Sequence, residues 1–127
     1  MRRGKHVIAI GAETNHRLLA LVEDLKAQGY HLADIPNLEK LIPALHRLSD
    51  AVILVYNPPG QDTARRVLYA LGEHRRSNPV IVLVDRSEFD EYYELMCDGV
   101  FDYFEITGDL RWIEQAVRSA YARAAAA

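Results

Sequence analysis

The sequence predicts a doubly wound α/β domain built on a five-stranded parallel sheet. Three observations carry this. Runs at Val7–Ile10, Ala51–Tyr56 and Val80–Val84 are continuously apolar rather than alternating, the mark of strands covered on both faces. Between the runs lie stretches whose apolar residues recur at helical spacing. Gly, Pro and Asn punctuate the boundaries, so strand, turn and helix signals alternate along the chain. Right-handed crossovers in such a series put helices on both faces of a parallel sheet.

Val7–Ile10 is the first strand. Asn15 can cap the helix after it, which buries a stripe of Leu18, Leu21, Val22 and Leu25 and ends at Gly29. Tyr30–Ile35 alternates and reads as a short second strand at a sheet edge. Asn37 can cap a second helix carrying Leu38, Leu41, Ile42 and Leu45. Pro43 removes one backbone donor there and should kink that helix or break it in two. Ala51–Tyr56 is the third strand, followed by the stiff turn Asn57-Pro58-Pro59-Gly60. A third helix is expected from about Asp62 to Arg75, with Ala64, Val67, Leu68 and Leu71 facing inward. Asn78-Pro79 precedes the fourth strand, Val80–Val84. A fourth helix spans Glu88–Cys97, Gly99 ends it, and Val100–Phe104 is the fifth strand. The fifth helix starts near Asp109 and buries Leu110, Ile113, Val117 and Ala120. The last alanines, Ala124–Ala127, can continue it, fray, or mark the cut end of a longer protein.

Composition narrows the class. A chain of 127 residues, half of them hydrophobic and 26% charged, fits one globular domain over residues 1–127, alone or as part of a longer protein. It should bury about two-thirds of the surface its unfolded chain exposes. The single cysteine, Cys97, excludes an internal disulfide and a Cys-based zinc site, and fits a reducing cytoplasm. Cys97 is expected to be packed at a helix end. No apolar run is long enough to cross a membrane, and the basic start Met1-Arg2-Arg3-Gly4-Lys5 lacks the apolar core of an export signal. Net charge is −3, which disfavours generic nucleic-acid binding. The charge is uneven. Residues 1–76 hold eleven Lys/Arg against eight Asp/Glu, and residues 77–127 hold four against ten.

Several local matches, in order and at the right spacing, make the chain resemble a response-regulator receiver domain, the CheY-like fold. They are Gly29-Tyr30 before the second strand, Asp50-Ala51-Val52-Ile53-Leu54 for the third, and Pro59-Gly60 with Asp62 in the loop after it. Pro79-Val80-Ile81-Val82-Leu83 matches the fourth strand, and Asp98-Gly99-Val100-Phe101-Asp102-Tyr103 the lead into the fifth. The resemblance covers nearly the whole chain and implies the strand order 2-1-3-4-5. It also implies where the family's phosphorylation chemistry would sit. The acidic pair after the first strand falls on Gly11 and Ala12, with Glu13 one step later. The phosphate-accepting aspartate falls on Val55, the Thr/Ser after the fourth strand on Val84, the lysine on Ile106 and the proline after it on Thr107. Asn57, whose carbonyl would help hold a metal, and Tyr103, the aromatic that rotates on activation, remain. The resemblance therefore implies a pseudo-receiver.

The consequences follow from chemistry alone. Valine cannot form an acyl phosphate. Magnesium needs hard oxygen ligands, and Gly11, Ala12 and Val55 offer no side-chain oxygen. Nothing at Ile106 offsets a phosphoryl charge. Val55, Val84, Ile106 and Tyr56 are sized to fill the crevice themselves, which is the expectation against an apolar ligand pocket. Glu13 and Asp85, with Asn57 between them, read as solvated acids rather than a cation site. Arg65, Arg66, His74, Arg75 and Arg76 form a basic strip without interleaved aromatics and read as a solvated face. The five histidines show no metal-ligand spacing and read as surface or capping residues. No Ser/His/Asp arrangement and no nucleotide-binding glycine motif is present. No metal, no cofactor and no enzymatic activity is expected.

The expected working surface is that of the fourth helix, fifth strand and fifth helix, which in receivers commonly mediates dimerisation or docking. Phe89, Tyr92, Tyr93, Met96, Phe101 and Trp112 belong to it, with Arg111 and Arg118, and aromatics and arginine are enriched in interface hot spots. The expected function is a phosphorylation-independent signalling domain. It would act by protein–protein contact, as a homodimer or on an attached effector domain. The alternative is a sensor with a small molecule between the strand ends.

Overall fold

A computed structural model describes residues 5–48 and 50–126; the basic start Met1–Gly4 and the last alanine, Ala127, lie outside the described residues. The strands are β1 (His6–Ile10), β2 (His31–Ile35), β3 (Val52–Tyr56), β4 (Val80–Val84) and β5 (Asp102–Glu105). They form one parallel sheet in the order β2-β1-β3-β4-β5. The helices are α1 (His16–Ala27), α2 (Leu41–Arg47), α3 (Thr63–Leu71), α4 (Phe89–Cys97) and α5 (Leu110–Ala126). Among the described residues no helix is long and apolar enough to cross a membrane.

Strand alternation divides the apolar residues between two cores. Ile8, Ile53, Val55 and Val82 face α2, α3 and α4, where they meet Leu41, Val67, Leu71 and Leu95. Val7, Leu54, Ile81 and Leu83 face α1 and α5, where they meet Leu18, Leu21, Ile113 and Val117. The central strands β3 and β4 are buried at every position, while the edge strands β2 and β5 are buried only in part. Continuous apolar runs in the middle of the sheet and mixed runs at its edges follow from that layering.

The helix ends explain most of the differences from the sequence boundaries. Asn15 accepts from the N–H groups of Arg17 and Leu18 and starts α1. Gly29, at φ +95°, closes it, with the Tyr30 N–H returning to the Leu25 carbonyl. The same closure ends α4, where the Val100 N–H bonds the Leu95 carbonyl. Val100 is thereby drawn into the helix cap, and β5 starts at Asp102 rather than Val100. The third helix is shorter than expected: α3 stops at Leu71, because Gly72 at φ +52° turns the chain into a 3-10 segment over Gly72–Arg76. Pro43 falls in the first turn of α2, where its missing N–H has no helical acceptor, and a separate 3-10 turn at Leu38–Lys40 precedes it. Leu110 is half-buried rather than a core residue.

Candidate functional site

The ends of β1, β3 and β4 and the loop after β5 meet at the carboxyl edge of the sheet. Val55 is fully buried, paired in register with Ile10 on one side and Val82 on the other. Ala12, Val84 and Ile106 are buried beside it. The next residue, Tyr56, points to the opposite face of the sheet, as alternation requires. Its ring lies across Gly11. A Cβ on Gly11 would come within 3.2 Å of the Tyr56 Cβ, and Gly11 itself sits at φ +91°. The Tyr56 hydroxyl donates to Asp85 Oδ2 at 2.6 Å. That bond to the carboxylate, together with burial, raises the tyrosine's pKa. A tyrosine ring, two valines and an isoleucine thus pack at the strand ends. Beside them lie a cavity of about 540 Å³ bounded by Ile10, Gly11 and Tyr56 and one of about 330 Å³ bounded by Asn57, Val84 and Asp85.

The acids of this edge do not converge on one point. Glu13 is exposed in a 3-10 turn over Ala12–Thr14, and Asp85 is taken by Tyr56. Among the described residues no group of three or more His, Cys, Asp or Glu could hold a metal ion. Asn57 is buried, and its Oδ1 accepts from the Ala64 N–H at 3.1 Å. It thereby caps α3 from seven residues upstream, where Asp62 makes no side-chain cap. Its Nδ2 donates to Glu91 Oε2 at 3.5 Å.

Tyr103 points inward. Its hydroxyl donates to Glu91 Oε1 at 2.6 Å and accepts from the Glu88 N–H at 3.3 Å, and Tyr92 packs edge-on against its ring at 5.6 Å. Burial, then the bond to Glu91, pushes its pKa up to about 12. Glu91 therefore joins β5 to the β3–α3 loop through one carboxylate. Sequence reasoning missed this role of Glu91. The Tyr56–Asp85 pair was also missed. Its one available signal was that each residue directly follows the buried end of a neighbouring strand.

A groove of about 610 Å³ lies between α4, β5 and α5. Phe89, Tyr92, Tyr103, Phe104, Trp112 and Ile113 supply its apolar lining, with Ser87, Glu88, Glu105 and Asp109 among them. Phe89 is 76% exposed, Trp112 64% and Tyr93 60%, and the rings of Phe89 and Tyr93 stack at 6.3 Å. Glu105 accepts from the N–H and hydroxyl of Ser87, which holds its carboxyl below the usual range. Arg111 is bound to Asp109 at 2.8 Å. Two of the residues read for this surface lie elsewhere. Met96 is half-buried against the core, and Phe101 precedes β5 at the far edge of the sheet, with Arg123 over its ring at 5.5 Å. Arg118 is exposed on α5.

Three smaller expectations need correction. Cys97 is exposed rather than packed, because Leu95 takes the inward position at the end of α4. His6 is half-buried in β1 with its ring 5.4 Å from that of His31, so it is not a surface histidine. The basic strip is partly tied down: Arg65 is paired with Glu94, and Arg75 bonds the carbonyls of Gly72 and Asp98.

No protein-family model matches the chain, and no curated protein sequence does. Solved structures match over nearly the full length. The signal receiver domain of a putative Luxo repressor protein from Vibrio parahaemolyticus has a TM-score of 0.80 at 16% identity, over 96% of this chain and 93% of that one. The beryllofluoride-activated NtrC4 receiver domain dimer has a TM-score of 0.77 at 18% identity, over 94% and 98%. The receiver domain of the putative response regulator NarL from Mycobacterium tuberculosis has a TM-score of 0.75 at 17% identity, over 95% and 98%. With the strand order and the packing of helices on both faces, these likenesses show that the chain adopts the five-stranded fold of response-regulator receiver domains.

Proposed function

We propose that this chain is a receiver-like signalling module that works without phosphorylation, by contact with a protein partner or with a second copy of itself through the α4–β5–α5 face. One observation carries the reading. The position that would accept a phosphoryl group is a valine with no exposed surface, and Ala12, Val84 and Ile106 beside it are buried and apolar too. A valine offers no nucleophile. Gly11 and Ala12 offer no ligand for magnesium, and Ile106 offers no cation. The same edge has no nucleophile paired with a base, so the proposal is a binding module rather than an enzyme.

The α4–β5–α5 groove supports the other half of the reading. Large aromatic side chains left in water around an apolar groove are the composition of an interface hot spot. The proposal puts the domain in the reducing cytoplasm, where an exposed thiol such as Cys97 is stable. The test joins two measurements on the parent chain. Intact mass after incubation with acetyl phosphate should show no phosphoryl adduct. Molar mass in solution over a concentration series should be indifferent to magnesium with beryllofluoride, while Trp112→Ala weakens self-association or capture of the partner. An adduct, or a change of mass on adding the phosphoryl mimic, overturns the proposal.

A further inference from the structure

The amino edge of the sheet carries a second cleft whose chemistry differs from that of the carboxyl edge. Each helix runs antiparallel to the strand before it, so the ends of α3, α4 and α5 converge there with the 3-10 segment Gly72–Arg76. The cleft measures about 830 Å³. Four guanidinium groups line it, those of Arg65, Arg75, Arg76 and Arg123, against a single carboxylate, Asp98. In a chain of net charge −3 this is a local reversal of sign.

Two features of the cleft are ready for a ligand. Arg75 donates Nε to the Gly72 carbonyl at 3.1 Å and Nη1 to the Asp98 carbonyl at 2.6 Å. These bonds fix the fork in place before anything binds and leave its other N–H groups to donate, so little side-chain freedom is lost on binding. Tyr69, also in the lining, is 92% exposed and presents an aromatic face to water. Inorganic phosphate would use the arginines and leave the ring idle. An apolar peptide would use the ring and leave Arg75, Arg76 and Arg123 with no anion, Arg65 being already paired with Glu94. A planar base that carries phosphate uses both, by stacking on the tyrosine and by bidentate guanidinium–phosphate bonds. The size of the cleft suits a small molecule.

We propose that this cleft binds a free nucleotide, with its phosphate on the arginines and its base on Tyr69. A nucleic-acid strand fits less well. It would need successive aromatic platforms and a continuous basic track. The cleft lining offers one ring, and Asp98 with the neighbouring Glu73 and Glu94 interrupts the positive charge. This site is separate from the carboxyl edge and does not depend on the function proposed for that edge.

Cys97 lines the cleft, is exposed, and is the one cysteine of the chain, so its alkylation by a maleimide reports occupancy. Adenosine diphosphate and guanosine diphosphate are the probes, at constant ionic strength, beside adenosine, inorganic phosphate and a single-stranded oligothymidine. At least one of the two nucleotides should slow alkylation saturably. Adenosine and phosphate should each require about tenfold more or beyond, since each keeps only half of the contacts. Tyr69→Ala and Arg76→Ala should each raise the half-protecting concentration by about tenfold, with unchanged circular dichroism because both side chains are exposed. No protection by either nucleotide overturns the proposal. So does protection by phosphate that equals the nucleotides and survives Tyr69→Ala, and so does an oligothymidine that protects at lower concentration than both.

Discussion

At the carboxyl edge of the sheet Val55, Val84 and Ile106 are buried and Tyr56 lies across Gly11; at the amino edge Arg75, Arg76 and Arg123 stand exposed around Tyr69. Doubly wound sheets ordinarily bind ligands at the carboxyl edge. Here the strand ends at that edge carry buried apolar side chains, and arginines gather at the other. Helix dipoles agree with the sign of each edge but account for only part of it, since α1, α2, α3 and α5 carry no acid in their first turns and α3 and α4 no base in their last. Helix N-termini point to the carboxyl edge and favour acids, and Glu13, Asp90 and Glu91 lie in such first turns. Helix C-termini point to the amino edge and favour bases, and Lys26, Arg47, Arg76 and Arg123 lie in such last turns. The dipoles do not account for the cleft between those bases, or for the tyrosine in it.

The comparison breaks most readily at Val55. Val55→Asp puts an unpaired carboxylate into the core between Ile10 and Val82. It should destabilise the domain by roughly 2–5 kcal/mol at neutral pH. The penalty should shrink on acidification, because burial favours the neutral carboxyl and raises its pKa in the folded state. Acetyl phosphate should still leave no adduct. Urea unfolding at two pH values reads the effect, and a variant as stable as the parent would mean that the carboxyl edge is open to water. Gly11→Ala is the next largest. Left-handed backbone costs an L-residue about 1–2 kcal/mol, and the new Cβ must also displace the Tyr56 side chain at 3.2 Å, so a loss of about 2 kcal/mol or more is expected. Gly60→Ala is the control, since Gly60 has φ +75° but no atom within 4 Å of a Cβ. It should lose only the backbone share, about 1–2 kcal/mol. Equal losses at the two glycines would show that the close approach of a Gly11 side chain to the Tyr56 Cβ is relieved without cost.

The five strands, their layering and most helix stripes were legible because central strands of a parallel sheet carry their burial in composition. Val52–Tyr56 and Val80–Val84 can be read with no knowledge of their neighbours. The end of α3 was not legible from periodicity, since Leu68 and Leu71 continue a helical stripe and only the backbone of Gly72 stops it. The absence of oxygen and cationic ligands at Gly11, Ala12, Val55 and Ile106 could be read residue by residue. The partners of Tyr56, Asn57 and Tyr103 could not. Asp85, Ala64 and Glu91 lie 29, 7 and 12 positions away in sequence, and spacing alone does not select them. The charge division was legible as two halves of the chain. The fold turns it into two edges, because Arg123 of the acidic half ends beside Arg75 and Arg76 of the basic half.

The smallest effect sharpens the picture of the carboxyl edge. Tyr103 lies under the apolar groove with its hydroxyl on Glu91, and its pKa is pushed up to about 12. In the unfolded chain it ionises near the ordinary value of about 10. Between these values the unfolded state has given up a proton that the folded state keeps. Stability must therefore fall as pH rises through that window, and the contribution of Tyr103 is complete below about 10 and gone above about 12. Tyr56, also raised, acts in the same direction. Tyr103→Phe should lose about 1 kcal/mol at neutral pH with the hydroxyl's bonds. It should also flatten part of the alkaline decline, so that parent and variant converge as pH climbs. Denaturant midpoints from neutral pH to about 12 read both changes. Parallel curves for the two proteins would place the Tyr103 hydroxyl in water. The carboxyl edge would then be sealed at Val55 and Tyr56 but open toward the α4–β5–α5 groove, and a partner seated there would meet a mobile tyrosine rather than a fixed one.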